Sequence, residues 1–317
     1  MESEPIYFER VVAVGCGLDV HKDSVVATVG GLGIPEETRS FGTFSDSLEQ
    51  LDSWLQQVGV THVAMESTSV YWKPVYNILE EHFEILLVNA QHVKNVPGRK
   101  TDKADSRWLT KLLLSGLLKG SFIPPRDIRE MRDLFRYRKK LTAQIVAEKN
   151  RFQKILEDAN IKLGSVISDV FGVSGQAITQ AIIEGQTDPA RLASLAHSNL
   201  RVPRQTLQQA LQGKITSHHR FMLSTIRKSI ANTEQIIADI ERSIDEHVRL
   251  YPTEMTLLQT IPGVGRQSAA TILSEIGIHM EAFPSASHLA SWAGISPGNN
   301  ESAGKKKVDE PPKGTPI

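Results

Sequence analysis

The order of strand-like and helix-like segments in residues 1–125 is the feature that most restricts the fold. Residues 11–30 contain two apolar, strand-like runs with a short turn at His21–Asp23, and residues 39–45 are typical of a third strand. Helix-like and strand-like runs then alternate at 45–58, 60–67, 70–82 and 83–90. Strands followed by alternating helices and strands predict an α/β domain, with a mixed sheet and helices on its faces.

The composition changes after residue 125. Between Arg126 and Lys154 there are ten Lys and Arg residues against four Asp and Glu, with apolar residues at helical spacing. From Leu223 to Tyr251 apolar residues recur at alternating steps of three and four, an a/d pattern over about four heptads. We predict a long coiled-coil arm of two antiparallel helices, with a helical insert at about 162–215 between them. The apolar seam could pair within the chain or with another subunit.

The last part of the chain predicts a small helical domain. The turn Ile261–Gly265 lies between two helix-like segments and has the helix-hairpin-helix form. Gly263 and Gly265 permit a tight turn whose exposed N–H groups could bind a nucleic-acid phosphate. An ordinary αα-corner uses the same glycines and is the alternative. The predicted domains are therefore residues 1–125, 126–250 and 251–317.

Global composition says little about partners, because Lys plus Arg equals Asp plus Glu at 36 each. The single cysteine, Cys16, excludes an intrachain disulfide and a Cys-rich zinc site, and its apolar surroundings predict a buried strand thiol. The N-terminus lacks the apolar region of a signal peptide, and no apolar run is long enough to span a bilayer. We expect a cytoplasmic bacterial protein with no membrane partner.

Four carboxylates have the positions of a metal site. Asp19 ends the first strand, Glu66 ends a later one, and Asp102 and Asp105 are spaced to share one face of a helix. RNase H-like nuclease folds place their first metal ligand on such a strand before a tight hairpin, although Asp19 could also simply end the strand and start the turn. Four carboxylates meeting at one sheet edge would repel one another unless divalent cations offset their charge.

Magnesium suits this set of ligands, because Mg²⁺ takes oxygen ligands and keeps phosphate oxygens in its shell. Two such ions about 4 Å apart can bind the attacking and leaving oxygens at a phosphorus atom, so we predict two Mg²⁺ ions. The flanking cations Arg99, Lys100 and Lys103 are then candidate contacts to DNA or RNA phosphates. A solvated helix start is the alternative for this stretch.

Ser302 is a candidate nucleophile. It lies in a glycine-containing loop just before the basic run Lys305–Lys307. Metals and lysines could assist its deprotonation and stabilise the charge that develops at a phosphodiester, and Lys305 and Lys306 are candidate nucleic-acid contacts. The alternative is a polar loop with no chemical role.

The residues quoted above resemble a known family. Residues 17–29, 63–79, 88–113 and 257–305 are similar, in order and spacing, to the DEDD transposases of bacterial insertion sequences, a group that includes the Piv and MooV DNA recombinases. The blocks around Asp102 and at 294–305, "GISPGNNESAGK", are the most specific.

This resemblance implies a RuvC-like, RNase H-type N-terminal domain whose acidic tetrad is Asp19, Glu66, Asp102 and Asp105. It also implies a C-terminal transposase domain in which Ser302 forms a covalent phosphoserine–DNA intermediate. Members of the family are understood to act as multimers joined through the coiled coil, on element and target DNA, with a guide RNA selecting the target.

One departure from the family pattern is expected at the end of the chain. From Val308 the sequence is rich in proline and lacks the closing helix of the family, which predicts a truncated or frame-disrupted copy. Two other functions are therefore kept as alternatives. One is a RuvC-like metal-dependent nuclease that uses the tetrad and water, and the other is an inactive nucleic-acid-binding remnant.

Overall fold

The structure is a computed structural model that describes residues 12–67, 69–89 and 105–295, together with the backbone of 301–302 and 305–306. Its contacts divide the chain into two compact units, Met1–Ile123 and Pro124–Ile317. In the described part of the chain, no helix is long and apolar enough to cross a membrane.

A five-stranded mixed sheet forms the centre of the first unit, as the sequence predicts. Its strands are β1 (Val14–Val20), β2 (Ser24–Gly31), β3 (Ile34–Gly42), β4 (His62–Glu66) and β5 (Glu84–Val88). The order across the sheet is β3-β2-β1-β4-β5, in which β1, β2 and β3 are antiparallel neighbours. The β1–β4 and β4–β5 pairs are parallel. The residues of β1 from Gly15 to Leu18 are fully or nearly fully buried, because β1 has a strand on each side and helices on its faces.

Among the residues of this unit that the structure describes, three helices accompany the sheet: α1 (Ser45–Val58), α2 (Trp72–Leu79) and α3 (Asp105–Leu114). The predicted third strand was misplaced, since β3 begins at Ile34 and ends at Gly42. The cause is its edge position, because the charged residues from Glu36 to Arg39 remain exposed and give no apolar signal.

The second unit is helical. Its two longest helices, α4 (Arg126–Asp158) and α9 (Ser217–Val248), pack against each other along their length. Between them lie α5 (Leu163–Val166), α6 (Val173–Ile183), α7 (Pro189–Ser194) and α8 (Arg204–Ala210), and after them α10 (Pro252–Gln259), α11 (Arg266–Ile276) and α12 (Ala286–Trp292). Seam residues such as Leu223, Ile230 and Ile244 are buried in cores shared with α4. The seam therefore pairs within the chain.

One histidine joins the far ends of the two long helices. His219 accepts a hydrogen bond at Nδ1 from the Thr216 N–H in a capping box, and its Nε2 lies 2.9 Å from Oδ2 of Asp158. The last residue of α4 is thus bonded to the first turn of α9, which fixes the antiparallel pair at this end.

Candidate functional site

Asp19 lies near the C-terminal end of β1, the central strand of the sheet. Its neighbours in the strand are buried, but its side chain is about a quarter exposed (27%). Its Oδ2 lies 3.1 Å from Nε2 of the exposed His21, in the turn before β2. The Asp19 carboxylate is thus partly exposed where the buried strand β1 ends, and the His21 imidazole from the following turn lies beside it.

Glu66 is at the same end of the neighbouring strand, β4. The parallel pairing of β1 with β4 is in register from Gly15–His62 to Leu18–Met65, and the next residues along the two strands are Asp19 and Glu66. Because parallel strands run in the same direction, this register makes Asp19 and Glu66 neighbouring positions where the two strands end.

Asp105 is the first residue of α3, where an acid is favoured by the helix dipole. Its Oδ1 is buried from solvent. Helix α3 packs closely on β1. A Cβ atom added to Gly17 would lie only 2.2 Å from the Ser106 carbonyl oxygen and 2.6 Å from the Thr110 nitrogen. The absence of a side chain at residue 17 is what permits this approach.

Buried hydroxyls hold α3 in place on the sheet. The Thr110 hydroxyl accepts a hydrogen bond from the Gly17 N–H at 2.9 Å and lies 2.8 Å from the carbonyl oxygens of Thr28 and Ser106. The Thr28 hydroxyl is 2.8 Å from that of Ser106 and 2.9 Å from that of Thr38. This hydroxyl cluster connects β1, β2 and β3 to the helix that carries Asp105.

This hydroxyl cluster is not predicted from the sequence. A threonine within a helix and a glycine within a central strand are both unfavourable locally, and together they are a signal of close helix–strand packing. Their partners are far apart in the sequence, so the signal does not show which helix meets which strand.

The other members of the predicted acidic site lie outside the described residues. These are Asp102 and the flanking cations Arg99, Lys100 and Lys103. Among the residues that are described, no group of three His, Cys, Asp or Glu side chains is close enough to hold a metal ion. The donor chemistry nevertheless suits a hard divalent cation, because Asp19, Glu66 and Asp105 supply oxygen ligands of the kind that Mg²⁺ prefers.

The predicted glycine turn lies between α10 and α11. Gly263 has a φ of 84°, which favours glycine, and a Cβ there would meet open space. Gly265 begins α11 without a side-chain cap, so the first N–H groups of this helix have no capping side chain. Beside the turn, Nη2 of Arg266 is 2.7 Å from Oδ1 of Asp245 on α9.

A buried arginine holds the other end of α11. Arg132 on α4 donates to the backbone carbonyls of Ser274 and Glu275, at 3.2 and 2.6 Å. Its Nε lies 3.3 Å from the Glu275 carboxylate, which also receives two hydrogen bonds from Arg136. Burial lowers the pKa of Arg132, and the Glu275 charge opposes that shift. The last carbonyls of α11 are thus bound by a cation.

The candidate nucleophile lies on a short antiparallel pair of strands, β6 (Glu301–Ser302) and β7 (Lys305–Lys306). In the register of this pair, Ser302 is opposite Lys305 and Glu301 is opposite Lys306. The backbone thus brings a lysine directly across from the serine.

Comparisons with known protein families find two matching regions in the chain. Residues 16–161 match the family model of the IS110-type DEDD transposases, described as "Transposase". Residues 255–316 match a second model, described as "Transposase IS116/IS110/IS902 family". The second match includes residues 308–316, where the sequence analysis expected the family pattern to stop. No curated protein matches the chain.

The mixed sheet, with carboxylates at the ends of β1 and β4, is consistent with a DEDD nuclease-like domain. Together with the two matches, it defines a transposase, a class of enzyme that cleaves and rejoins DNA. The chain belongs to the IS110 family of DEDD transposases. Membership implies DNA as a substrate and the use of a divalent metal ion, typically Mg²⁺.

Proposed function

We propose that the protein is a site-specific DNA recombinase of an insertion sequence. The observation that carries the proposal is the register of β1 and β4, which places Asp19 and Glu66 side by side at one edge of the sheet. Helix α3 packs on the same strand β1 and begins with Asp105. With Asp102, these residues form the acidic half of a RuvC-like site.

The acidic half would hold two Mg²⁺ ions, with Asp19, Glu66, Asp102 and Asp105 as the protein ligands. Bound there, the ions would withdraw charge from the phosphodiester at which the DNA strand is cut. The role of the surrounding residues would be to hold the metal ligands in position. The hydroxyl cluster fixes on the sheet the helix α3, which begins with Asp105.

The other half of the reaction is assigned to Ser302. Its hydroxyl oxygen forms a bond to phosphorus while the bond from phosphorus to a deoxyribose oxygen breaks. The serine loses its proton to a base, and the released strand end gains one. Lys305, opposite Ser302 in the backbone pairing of β6 and β7, would offset charge at the phosphate.

Contacts to nucleic acid would be made by backbone-binding groups. Arg99, Lys100, Lys103 and Lys306 supply cations for phosphates, and the Gly263–Gly265 turn offers N–H groups as a helix-hairpin-helix. A guide RNA would select the target, and DNA as the substrate places the reaction in the bacterial cytoplasm.

The two long helices would form the coiled-coil arm of a homo-oligomer. Because their apolar seam is used within the chain, subunits would meet through the outer faces of α4 and α9. The three-domain division at residues 125 and 250 remains a prediction.

The test is strand transfer between paired element and target DNA in the presence of Mg²⁺, with Ser302→Ala beside the matched control Ser291→Ala. We expect Ser302→Ala to abolish both strand transfer and the covalent protein–DNA adduct, whereas Ser291→Ala, at an exposed serine of the same unit, retains both. DNA cleavage that is unchanged in Ser302→Ala would support a metal-dependent nuclease instead. If Asp102→Ala leaves every activity of the chain unchanged, the protein is a nucleic-acid-binding remnant.

A further inference from the structure

Strand β3 is an edge of the sheet. Its inner side pairs with β2, and on its outer side the described part of the chain contributes no further strand. An edge strand presents a row of backbone N–H and C=O groups to which another strand can pair. This edge is nine residues long, and its residues from Pro35 to Ser40 are exposed.

The side chains of β3 divide between the two faces of the sheet. Arg39 lies over the ring of Trp54 from α1, 4.6 Å from its centroid, and donates to Glu37 on the same face at 2.7 Å. On the other face, Thr38 bonds within the hydroxyl cluster and Glu36 pairs with Arg107 of α3 at 3.2 Å.

A groove of about 580 Å³ runs between β3 and α1 on the Arg39 face, lined by Arg39, Phe41, Asp46 and Trp54 among others. Trp54 is only 5% exposed, and its Nε1–H is buried without a hydrogen-bond acceptor among the described residues. A buried donor of this kind costs free energy unless an acceptor is supplied. The groove lies on the Arg39 face beside the edge strand, and acceptor side chains such as Asp46 line it.

We propose that two copies of this chain pair their β3 strands, antiparallel, about a two-fold axis at Thr38. The two sheets then become one continuous sheet. Directly opposite residues share a face in an antiparallel pair, so Arg39 meets the Glu37 of the second copy. On the other face Thr38 meets its own equivalent, a favourable cross-strand pair, and Glu36 meets Ser40.

Charge selects this register over its neighbours. In a two-fold symmetric antiparallel pair, opposite residues lie on the same face of the sheet only when the axis passes between two copies of the same residue. The neighbouring alternative registers therefore have the axis one residue away along the strand. An axis at Glu37 would place two glutamates directly opposite each other, and an axis at Arg39 would place two arginines opposite each other. Only the axis at Thr38 joins opposite charges, and it does so twice in each dimer.

In this register the Glu37 of the second copy lies next to Arg39, on the same face of the sheet as Trp54. The charged residues of β3 thus favour pairing with a second copy of β3, and they disfavour pairing with strands whose charge pattern is not complementary.

A cysteine scan tests the register. Thr38→Cys and its control Ser40→Cys are compared by disulfide formation under mild oxidation, with Cys16 retained because its thiol is fully buried. With the axis at residue 38, the two thiols introduced by Thr38→Cys face each other, whereas those introduced by Ser40→Cys are about 13 Å apart and beyond disulfide reach. We expect dimers from Thr38→Cys only. Equal yields from both variants, or no dimer from Thr38→Cys, would overturn the proposal.

Charge reversal in the Thr38→Cys chain tests the pairing of Glu37 with Arg39. Glu37→Arg and Arg39→Glu each create two like-charge contacts per dimer, and each should lower the cross-linking yield about two- to tenfold. The double variant restores opposite charges and should restore the yield. A double variant as weak as either single one would show that these residues do not face each other. Circular dichroism of each variant identifies any loss of the fold itself.

Discussion

The hydroxyl oxygen of Thr110 lies 2.9 Å from the backbone nitrogen of Gly17 and accepts its hydrogen bond, joining residues 93 positions apart. Gly17 is two residues before Asp19, and Thr110 is one helical turn beyond Asp105. This bond therefore fixes the position of one carboxylate relative to the other. The metal site proposed above depends on such contacts as much as on the acids themselves.

Replacing Thr110 with valine should destabilise the first unit by about 1–3 kcal/mol, because it keeps the shape but leaves the buried Gly17 N–H without its acceptor. Thr142→Val is a matched control, since that hydroxyl bonds only to the carbonyl of Arg138 in its own exposed helix turn. Urea unfolding followed by circular dichroism measures both. Equal stability of the two variants would contradict the role given to Thr110.

Gly17→Ala should be more damaging than Gly30→Ala. A methyl group at residue 17 would lie 2.2 Å from a backbone oxygen of α3, so the helix must move, at a cost of about 1–3 kcal/mol or more. At Gly30, also in contact with α3, the nearest atoms are 3.5 Å away or farther, and a methyl group fits. Thermal unfolding should therefore separate the two variants, and strand transfer should fall only in Gly17→Ala.

The acidic residues of the site should tolerate no neutral replacement. Removing a residue that hydrogen-bonds to a metal ligand typically costs about 10–100-fold in metal affinity or activity, so loss of a ligand itself at Asp19, Glu66 or Asp105 should cost more than about 100-fold. The variants are Asp19→Asn, Glu66→Gln and Asp105→Asn, with Asp23→Asn in the exposed β1–β2 turn as control. Strand transfer with Mg²⁺ is the measurement. A variant of Glu66 as active as the Asp23 control would remove that residue from the site.

The acidic residues were predictable because each follows a local pattern. Asp19 and Glu66 directly follow buried apolar runs, and a carboxylate at the end of a strand can be recognised in the sequence without knowledge of the partner strand. Their adjacency depends on the parallel pairing of β1 with β4, which the strand–helix–strand order already favours.

The contacts that hold the site together were not predictable in the same way. Thr28, Ser106 and Thr110 give no periodic signal, because their burial arises from hydrogen bonds between elements far apart in sequence. The start of β3 was missed for the opposite reason, since its charged residues face solvent at a sheet edge. In both cases, the buried hydroxyls and the exposed start of β3, the environment of the residues is set by elements far away in the sequence.

Arg132 and Arg136 bind the same glutamate but should differ in importance. Arg132 is 6% exposed and binds two backbone carbonyls of α11, whereas Arg136 is one-third exposed and donates to the Glu275 side chain. Arg132→Met should cost about 1–3 kcal/mol by leaving buried carbonyls without donors. Arg136→Met should cost about 1 kcal/mol or less, as exposed ion pairs do. Chemical unfolding of the two variants measures the difference, and a larger loss from Arg136→Met would contradict this account.

Cys16, the one cysteine of the chain, should make stability fall at high pH. Burial raises the pKa of its thiol well above the usual value of about 8.5. Since the unfolded chain releases this proton at lower pH than the folded one, the thiol's contribution is fully present below about pH 8.5 and declines above it. At pH 9.5 the loss should be about 1.4 kcal/mol.

Cys16→Ala isolates this effect, because it removes the thiol and leaves every other titrating group. The variant should be less stable than the parent protein at pH 7, where a cavity replaces the buried sulfur, and the difference should shrink as the pH rises to 9.5. Urea unfolding of both proteins at several pH values is the measurement. A difference that stays constant over this range would show that the thiol ionises as readily in β1 as in the unfolded chain.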